Sequence, residues 1–177
     1  MSIIVVPYDP DWPRHAQAAI TELTTALPGL FLDIEHMGST SVPGLAAKPV
    51  IDLMASVSDL DEVVAREDNL AWLGYRREEN GMSGRLFYPR DDATGQRTHH
   101  LHIVPAAEWD DQNERILRDH LLANPAAAAE YAALKQRLAT ETSDPLEYTR
   151  RKTDLIQRLV DVARAERGLP LVPVWVD

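Results

Sequence analysis

The sequence predicts an α/β (α+β) domain, in which strands and helices alternate up to about residue 105 and a C-terminal helical segment follows. Three observations lead there. Residues 31–37 and 98–104 alternate with the period of a strand, and residues 50–54 form a short apolar run of buried-strand type. Residues 12–27 and 60–73 instead space their apolar side chains at helical intervals. From Glu108 onward that helical spacing recurs three times, each time with an opening or closing signal.

Taken in order, residues 3–6 are a β-branched run ended by Pro7, hence a short strand at an edge. Asp11 is placed to cap a helix entered through Trp12 and Pro13. Its inward stripe is Trp12, Ala16, Ala19, Leu23 and Leu27, and Pro28-Gly29 stops it. Trp12 reads as a core anchor rather than a ligand contact. Asp59 caps a second helix over residues 60–73, with Leu60, Val63, Val64, Leu70 and Leu73 inward and Gly74 just past its end. Residues 75–78 and 85–88 are short strands separated by the turn signals Asn80-Gly81 and Ser83-Gly84. Pro89 and the polar loop 90–96 close the second, so a hairpin is expected. In THHLHIV, residues 98–104, His100 and His102 share one face and His99, Leu101 and Ile103 the other. Residues 108–123 form a helix bearing Trp109, Ile116, Leu117 and Leu121. Asn124-Pro125 opens a helix through Leu138. Asp144-Pro145 with Glu147 opens the last one, residues 142–166, with Tyr148, Leu155, Leu159 and Val162 as its buried stripe.

The chemistry concentrates between residues 34 and 54, IEHMGSTSVPGLAAKPVIDLM. The first strand ends at Gly38-Ser39-Thr40-Ser41, where a residue without Cβ and three hydroxyls suit close approach of a phosphate. Lys48 is a lone cation in the loop that follows. Asp52 interrupts the apolar second run, and a carboxylate there costs several kcal/mol unless it is paired, hydrogen-bonded or bound to a cation. A structural reading, Asp52 bonded to the Gly38 turn or paired with Lys48, stands beside a functional one.

The segment GSTSVPGLAAKPVID resembles the GrpB family, a branch of the nucleotidyltransferase superfamily. PYDPDWP, the HLH of residues 100–102, RDHLLANPAAAAEYAALK and YTRRK extend the resemblance from Pro7 to about Val160. It implies a nucleotidyltransferase-like mixed β-sheet flanked by helices, with a C-terminal helical segment. The superfamily pattern is a hydrophobic residue, Gly and Ser, then a spacer and an acid-hydrophobic-acid triplet. Met37-Gly38-Ser39 and Asp52 match it, whereas Met54 stands at the second acid. GrpB-like sequences generally lack that acid too, which tells against two-metal transfer chemistry. The resemblance places His100 or His102 where the superfamily often has a third acid. Lys152 is the family's lysine on the last helix, read either as a solvated cation near a helix start or as a phosphate contact.

On this reading Gly38, Ser39, Thr40 and Ser41 hold a nucleoside triphosphate or a related phosphate ligand, with Lys48, Arg85 and Lys152 as further nucleotide-binding candidates. Asp52, His100 and His102 are the candidate catalytic and metal-ligating residues, and Glu35 is the candidate replacement for the missing carboxylate. His36, facing opposite to Glu35, is either a structural histidine or a ligand. The implied cofactor is a divalent metal, Mg²⁺ or Mn²⁺, with Zn²⁺ suited to an imidazole-rich set. Transfer of a nucleotidyl group to an unidentified acceptor ranks first among the activities. A non-catalytic nucleotide- or coenzyme-binding accessory module ranks second, since GrpB-like domains occur fused to dephospho-CoA kinase. A metal-dependent hydrolase ranks third.

The 177 residues suit one domain, residues 1–177. A net charge of −10 argues against a general nucleic-acid or anionic-membrane surface. The absence of cysteine excludes disulfides and thiolate metal sites. No signal-like or membrane-spanning run is present, and a cytoplasmic protein is the simplest reading. Residues 168–177 carry Leu169, Leu171, Val172, Val174, Trp175 and Val176 broken by two prolines. This apolar tail packs either on its own domain or on a second copy, as a homo-oligomer.

Overall fold

The computed structural model describes residues 4–174. Four strands, β1 (Asp33–Met37), β2 (Ile51–Val57), β3 (Leu86–Asp91) and β4 (Arg97–Pro105), form one mixed sheet in the order β1-β2-β4-β3. The central pair β2 and β4 is parallel, and both outer pairings are antiparallel. Strand pleating separates the chemistry of the two faces. Ile51, Leu53, Ala55 and Val57 of β2, with Leu101 and Ile103 of β4, bury against Trp12, Ala16, Ala19 and Leu23 of α1 (Trp12–Ala26) and against Val63 and Leu70 of α2 (Leu60–Val64) and α3 (Glu67–Trp72). The alternate positions Asp52, Met54, His100 and His102 point the other way. That second side is covered by α4 (Asn113–Ala123), α5 (Pro125–Glu141) and α6 (Pro145–Glu166). These helices close on a core of their own, in which Leu121, Tyr131, Ile156, Leu159 and Val160 pack with Val42 and Leu45 of the loop after β1.

The departures from the sequence reading have local causes. In the 3–6 segment, Val6 makes only an isolated bridge to Ala47, and Ile3 lies outside the described residues. The bridge pins the loop just ahead of Lys48, through Val6 N–H to Ala47 C=O at 2.9 Å and the reverse bond at 3.0 Å. Asp11 has helical dihedrals and caps nothing with its side chain; Asp9 turns the chain into α1 by accepting the Asp11 N–H at 2.9 Å. The single helix expected over residues 60–73 breaks at Arg66, which leaves helical geometry and donates its guanidinium to the Pro28 carbonyl. Val64 is consequently exposed. Residues 75–78 reach β3 through a bridge at Tyr75 and two backbone bonds rather than as a strand. β3 runs through Pro89 instead of ending there, as an edge strand allows, and the hairpin joins β3 to β4.

Farther along, the helix expected over residues 108–123 is a 3₁₀ turn, Ala106–Asp111, followed by α4, with Gln112 extended between them. Asn124 donates back to the His120 carbonyl at 2.9 Å rather than capping α5. The last helix starts at Pro145, where the Asp144 carboxylate accepts the Leu146 N–H at 3.0 Å, while Glu147 accepts from Thr142 instead of completing a capping box. Val162 is exposed, and Ile156, Val160 and Ala163 fill the buried stripe.

The described part of the tail docks on its own chain. The buried Arg164 donates to the Pro170 carbonyl and to the Asp111 carboxylate, both at 2.6 Å. The Gln157 amide brackets the strap, giving a bond to Val172 C=O and taking one from Val174 N–H, each at 3.0 Å. Trp175 and Val176 lie outside the described residues. Among the described residues no helix is long and apolar enough to cross a membrane.

Candidate functional site

The site grows from the end of β1. Gly38 has φ 71° and ψ −173°, a conformation essentially closed to residues with a Cβ. A Cβ built there would stand 2.4 Å from Asp52 Oδ2, so the glycine allows the turn to lie directly against the carboxylate. Register places Asp52 between Met37 on β1 and His100 on β4. His100 Nδ1 lies 3.0 Å from Asp52 Oδ1, and the Asp52 side chain remains 31% exposed, opening onto the cleft rather than sealed beneath it. His102, two positions along the same face, packs its ring 4.9 Å from that of Phe87. Its Nδ1 is buried without a partner. Burial lowers the His102 pKa, against the pull of Asp52. Of the two histidines expected near Asp52, His100 bonds it across the adjacent strands, and His102 lines the same cavity as Asp52 and Gly38.

Two cavities meet at this point, sharing Ser39, Asp52 and Lys152. The larger, about 230 Å³, runs beneath α4 and α6 between Met37, Met54, Leu117, Leu121 and Ile156, with His102 and Glu114 among its few polar groups. The smaller, about 140 Å³, is cationic. Lys48 from the loop, Lys135 from α5 and Lys152 from α6 all border it, together with Ser39, Thr40 and Tyr148. None of these lysines has a carboxylate partner within 4.0 Å among the described residues. Lys135, only 4% exposed, donates to Ser39 Oγ at 2.6 Å and to the Ala46 carbonyl at 3.3 Å. Lys48 and Lys152 stand over the Tyr148 ring, 5.8 and 5.3 Å from its centroid. The Tyr148 hydroxyl is buried without a partner. Burial, reinforced by the neighbouring lysines, lowers Lys135 to about 7 and Lys152 to about 8. Such unpaired cations are costly for the free protein and favourable for an anion that enters.

The other expected residues fall into two groups. Ser39 and Thr40 border the cationic cavity, and Lys152 does so too instead of standing solvated at the helix start. Thr40 bonds His36 Nε2 at 2.8 Å, and burial lowers the His36 pKa to about 4, so this histidine is neutral and structural. Ser41, Arg85 and Glu35 are occupied elsewhere. Ser41 Oγ donates to the Gly38 carbonyl at 2.5 Å and closes the turn from its far side. Arg85 is bound to Glu114 at 2.7 Å and to Gln112 at 2.6 Å. Although burial pushes the Glu114 carboxyl up, those Arg85 bonds outweigh it and hold the pKa low. Glu35 lies between Arg115 at 3.2 Å and Arg118 at 2.6 Å. With Glu35 committed and Met54 fully buried in an apolar layer with Met37, Val104 and Trp109, Asp52 is the one carboxylate free to face the turn among the described residues. No three His, Asp or Glu side chains among them come together as a ligand set, so this donor set does not fit an oxygen-rich divalent ion.

The family profile named GrpB protein matches residues 2–161. The chain belongs to the GrpB family. It is 38% identical to a UPF0157 protein of Pseudomonas aeruginosa over 96% of this chain and 71% of that protein. It is 33% identical to the dephospho-CoA kinase of Mycolicibacterium paratuberculosis, over 79% of this chain but 40% of that one. The solved GrpB protein of Enterococcus faecalis superposes with a TM-score of 0.84 at 32% identity, covering 93% of this chain and 99% of that one. The Cid1 poly(U) polymerase superposes with a TM-score of 0.52 at 13% identity, covering 78% of this chain and 45% of that one, which shows a nucleotidyltransferase-like fold.

In this GrpB chain the sequence reading missed Lys135 and Tyr148 as site residues. Lys135 lies on the Tyr131–Leu138 face of α5, and a lysine among buried helix positions is the signal that betrays it. The depressed lysines set a pH dependence. For an anion held by the protonated amines, affinity is expected to fall as pH rises through 7 and then 8. The loss approaches tenfold per pH unit for each amine that has become neutral. Calorimetry with inorganic triphosphate between pH 6.5 and 9 checks this; a flat profile contradicts it.

Proposed function

We propose that this GrpB-family chain binds a nucleotide, with the phosphates in the cationic cavity and the nucleoside toward the apolar one. The observation that carries this reading is the convergence of Lys48, Lys135 and Lys152, without carboxylate partners among the described residues, beside Ser39 and the Gly38 turn in a protein of net charge −10. The adjoining cavity supports it with apolar walls for a flat ring, plus His102 and Glu114 for its polar edge. Transfer of the nucleotidyl group to an acceptor is the second reading. It is favoured by Asp52 and its bonded imidazole standing at the junction of the two cavities, where the α-phosphate of such a ligand would lie. The dephospho-CoA kinase relative keeps a coenzyme-like nucleotide among the ligand classes to test.

The test is thermal unfolding with a panel of nucleoside triphosphates and dephospho-CoA. At one hundred times Kd, the expected stabilisation is about 2.7 kcal/mol. For a chain of this length that is roughly 5–10 °C in Tm. Asp52→Asn keeps the fold and shifts nucleotide affinity about tenfold, upward for a metal-free phosphate that the Asp52 carboxylate would repel. No shift with any of these ligands overturns the reading, and an unchanged Asp52→Asn isotherm removes Asp52 from the site.

A further inference from the structure

The Mg²⁺ chemistry usual for a nucleotidyltransferase-like fold needs carboxylate oxygens around the phosphates, and this cleft has replaced them. The second acid position is Met54, 0% exposed within an apolar layer. Asp52 keeps a single carboxylate at the turn, with Oδ1 bonded to His100. What crowds the phosphate cavity instead is three amines from three separate segments: the loop ahead of β2, α5 and α6. A divalent cation placed among them meets like charge, whereas a polyphosphate meets charge-assisted donors on several sides.

We propose that Lys48, Lys135 and Lys152 take the place of the divalent metal, so that the cleft binds a polyphosphate chain as its metal-free anion. The inference rests on the nucleotide-binding reading and specifies the charge state of the ligand that the cleft takes. Two further observations point to the ligand rather than to a structural role for the amines. Tyr148 lines the same cavity, and its hydroxyl is buried with no acceptor among the described residues. Lys135 Nζ bonds the hydroxyl of Ser39, which borders the cavity, so a phosphate oxygen reaching Ser39 also meets an amine already held in position. Binding in this scheme involves no covalent step.

Calorimetry of the full chain with inorganic triphosphate and with ATP, each in EDTA and in excess Mg²⁺, tests the proposal. Binding in EDTA that equals or exceeds binding in Mg²⁺ is the expected result. Lys152→Gln and Lys135→Gln each weaken the EDTA isotherm about tenfold or more, and circular dichroism reports that both variants are folded. ATP binding that appears only with Mg²⁺ overturns the metal replacement while leaving nucleotide binding intact. No binding of either probe under either condition overturns both. An isotherm in EDTA that is indifferent to both lysine substitutions also overturns it, because the anion then sits elsewhere.

Discussion

Gly38→Ala lowers Tm by about 10 °C and abolishes nucleotide binding. The native φ of 71° with ψ of −173° lies in a region that costs a residue with a Cβ of order 1–3 kcal/mol. The added methyl also meets Asp52 Oδ2 at 2.4 Å, so either the turn or the strand must move. The two effects together amount to roughly 3–4 kcal/mol, and a chain of this length loses about 2–4 °C per kcal/mol. Gly81→Ala separates them. Gly81 also has a positive φ, 78°, but nothing lies within 4 Å of its built Cβ, so that variant carries backbone strain alone. A Gly38→Ala protein as stable as Gly81→Ala would show that the turn does not need to lie against the carboxylate.

Lys135→Met raises the stability of the free protein while reducing triphosphate affinity about a hundredfold. A buried amine with no carboxylate partner among the described residues opposes folding, and replacing buried charge by apolar side chains of similar volume is often worth about 1–4 kcal/mol. Taking about 2 kcal/mol as the gain, Tm rises roughly 4–8 °C. The pH dependence has a definite sign. Lys135 titrates near 7 when folded and near its ordinary value of 10.5 when unfolded, so between these values the unfolded chain holds more protons. The amine's cost is therefore fully present below pH 7 and fades as pH rises toward 10.5. The advantage of Lys135→Met follows the same course, largest at pH 6 and nearly gone by pH 10. Differential scanning calorimetry across that range checks both sign and window. A variant that is less stable than the parent at pH 6 would mean that the lysine supports the fold rather than a ligand.

Much of this architecture is written in local pattern. Period-two runs locate β1 and β4, and the Ser39-to-Asp52 spacing puts the carboxylate across from the glycine turn because the chain returns antiparallel through a single loop. His100 follows for a similar reason: an alternating strand beside β2 must present every second residue to the same face as Asp52. Helix boundaries were less legible, since the breaks at Arg66 and Gln112 depend on tertiary contacts such as the Arg66 bond to Pro28. The roles of Arg85 and Glu35 were illegible for the same reason. Both project toward the α4 side, but their partners Glu114, Arg115 and Arg118 come from a helix dozens of residues away. Lys135 was hidden most completely, because one lysine in an alanine-rich helix looks solvated until the helix packs over the glycine turn.

The amines gathered over the Gly38 turn, without carboxylate partners among the described residues, form the proposed seat for phosphate. A crystal structure of the full chain soaked with ATP in EDTA tests it most directly. It is expected to show phosphate oxygens within hydrogen-bond distance of Lys135 and Lys152 Nζ and of Ser39, with the Tyr148 hydroxyl satisfied. Phosphates bound away from these groups, with Lys135 still bonded only to Ser39 and Ala46, would contradict it.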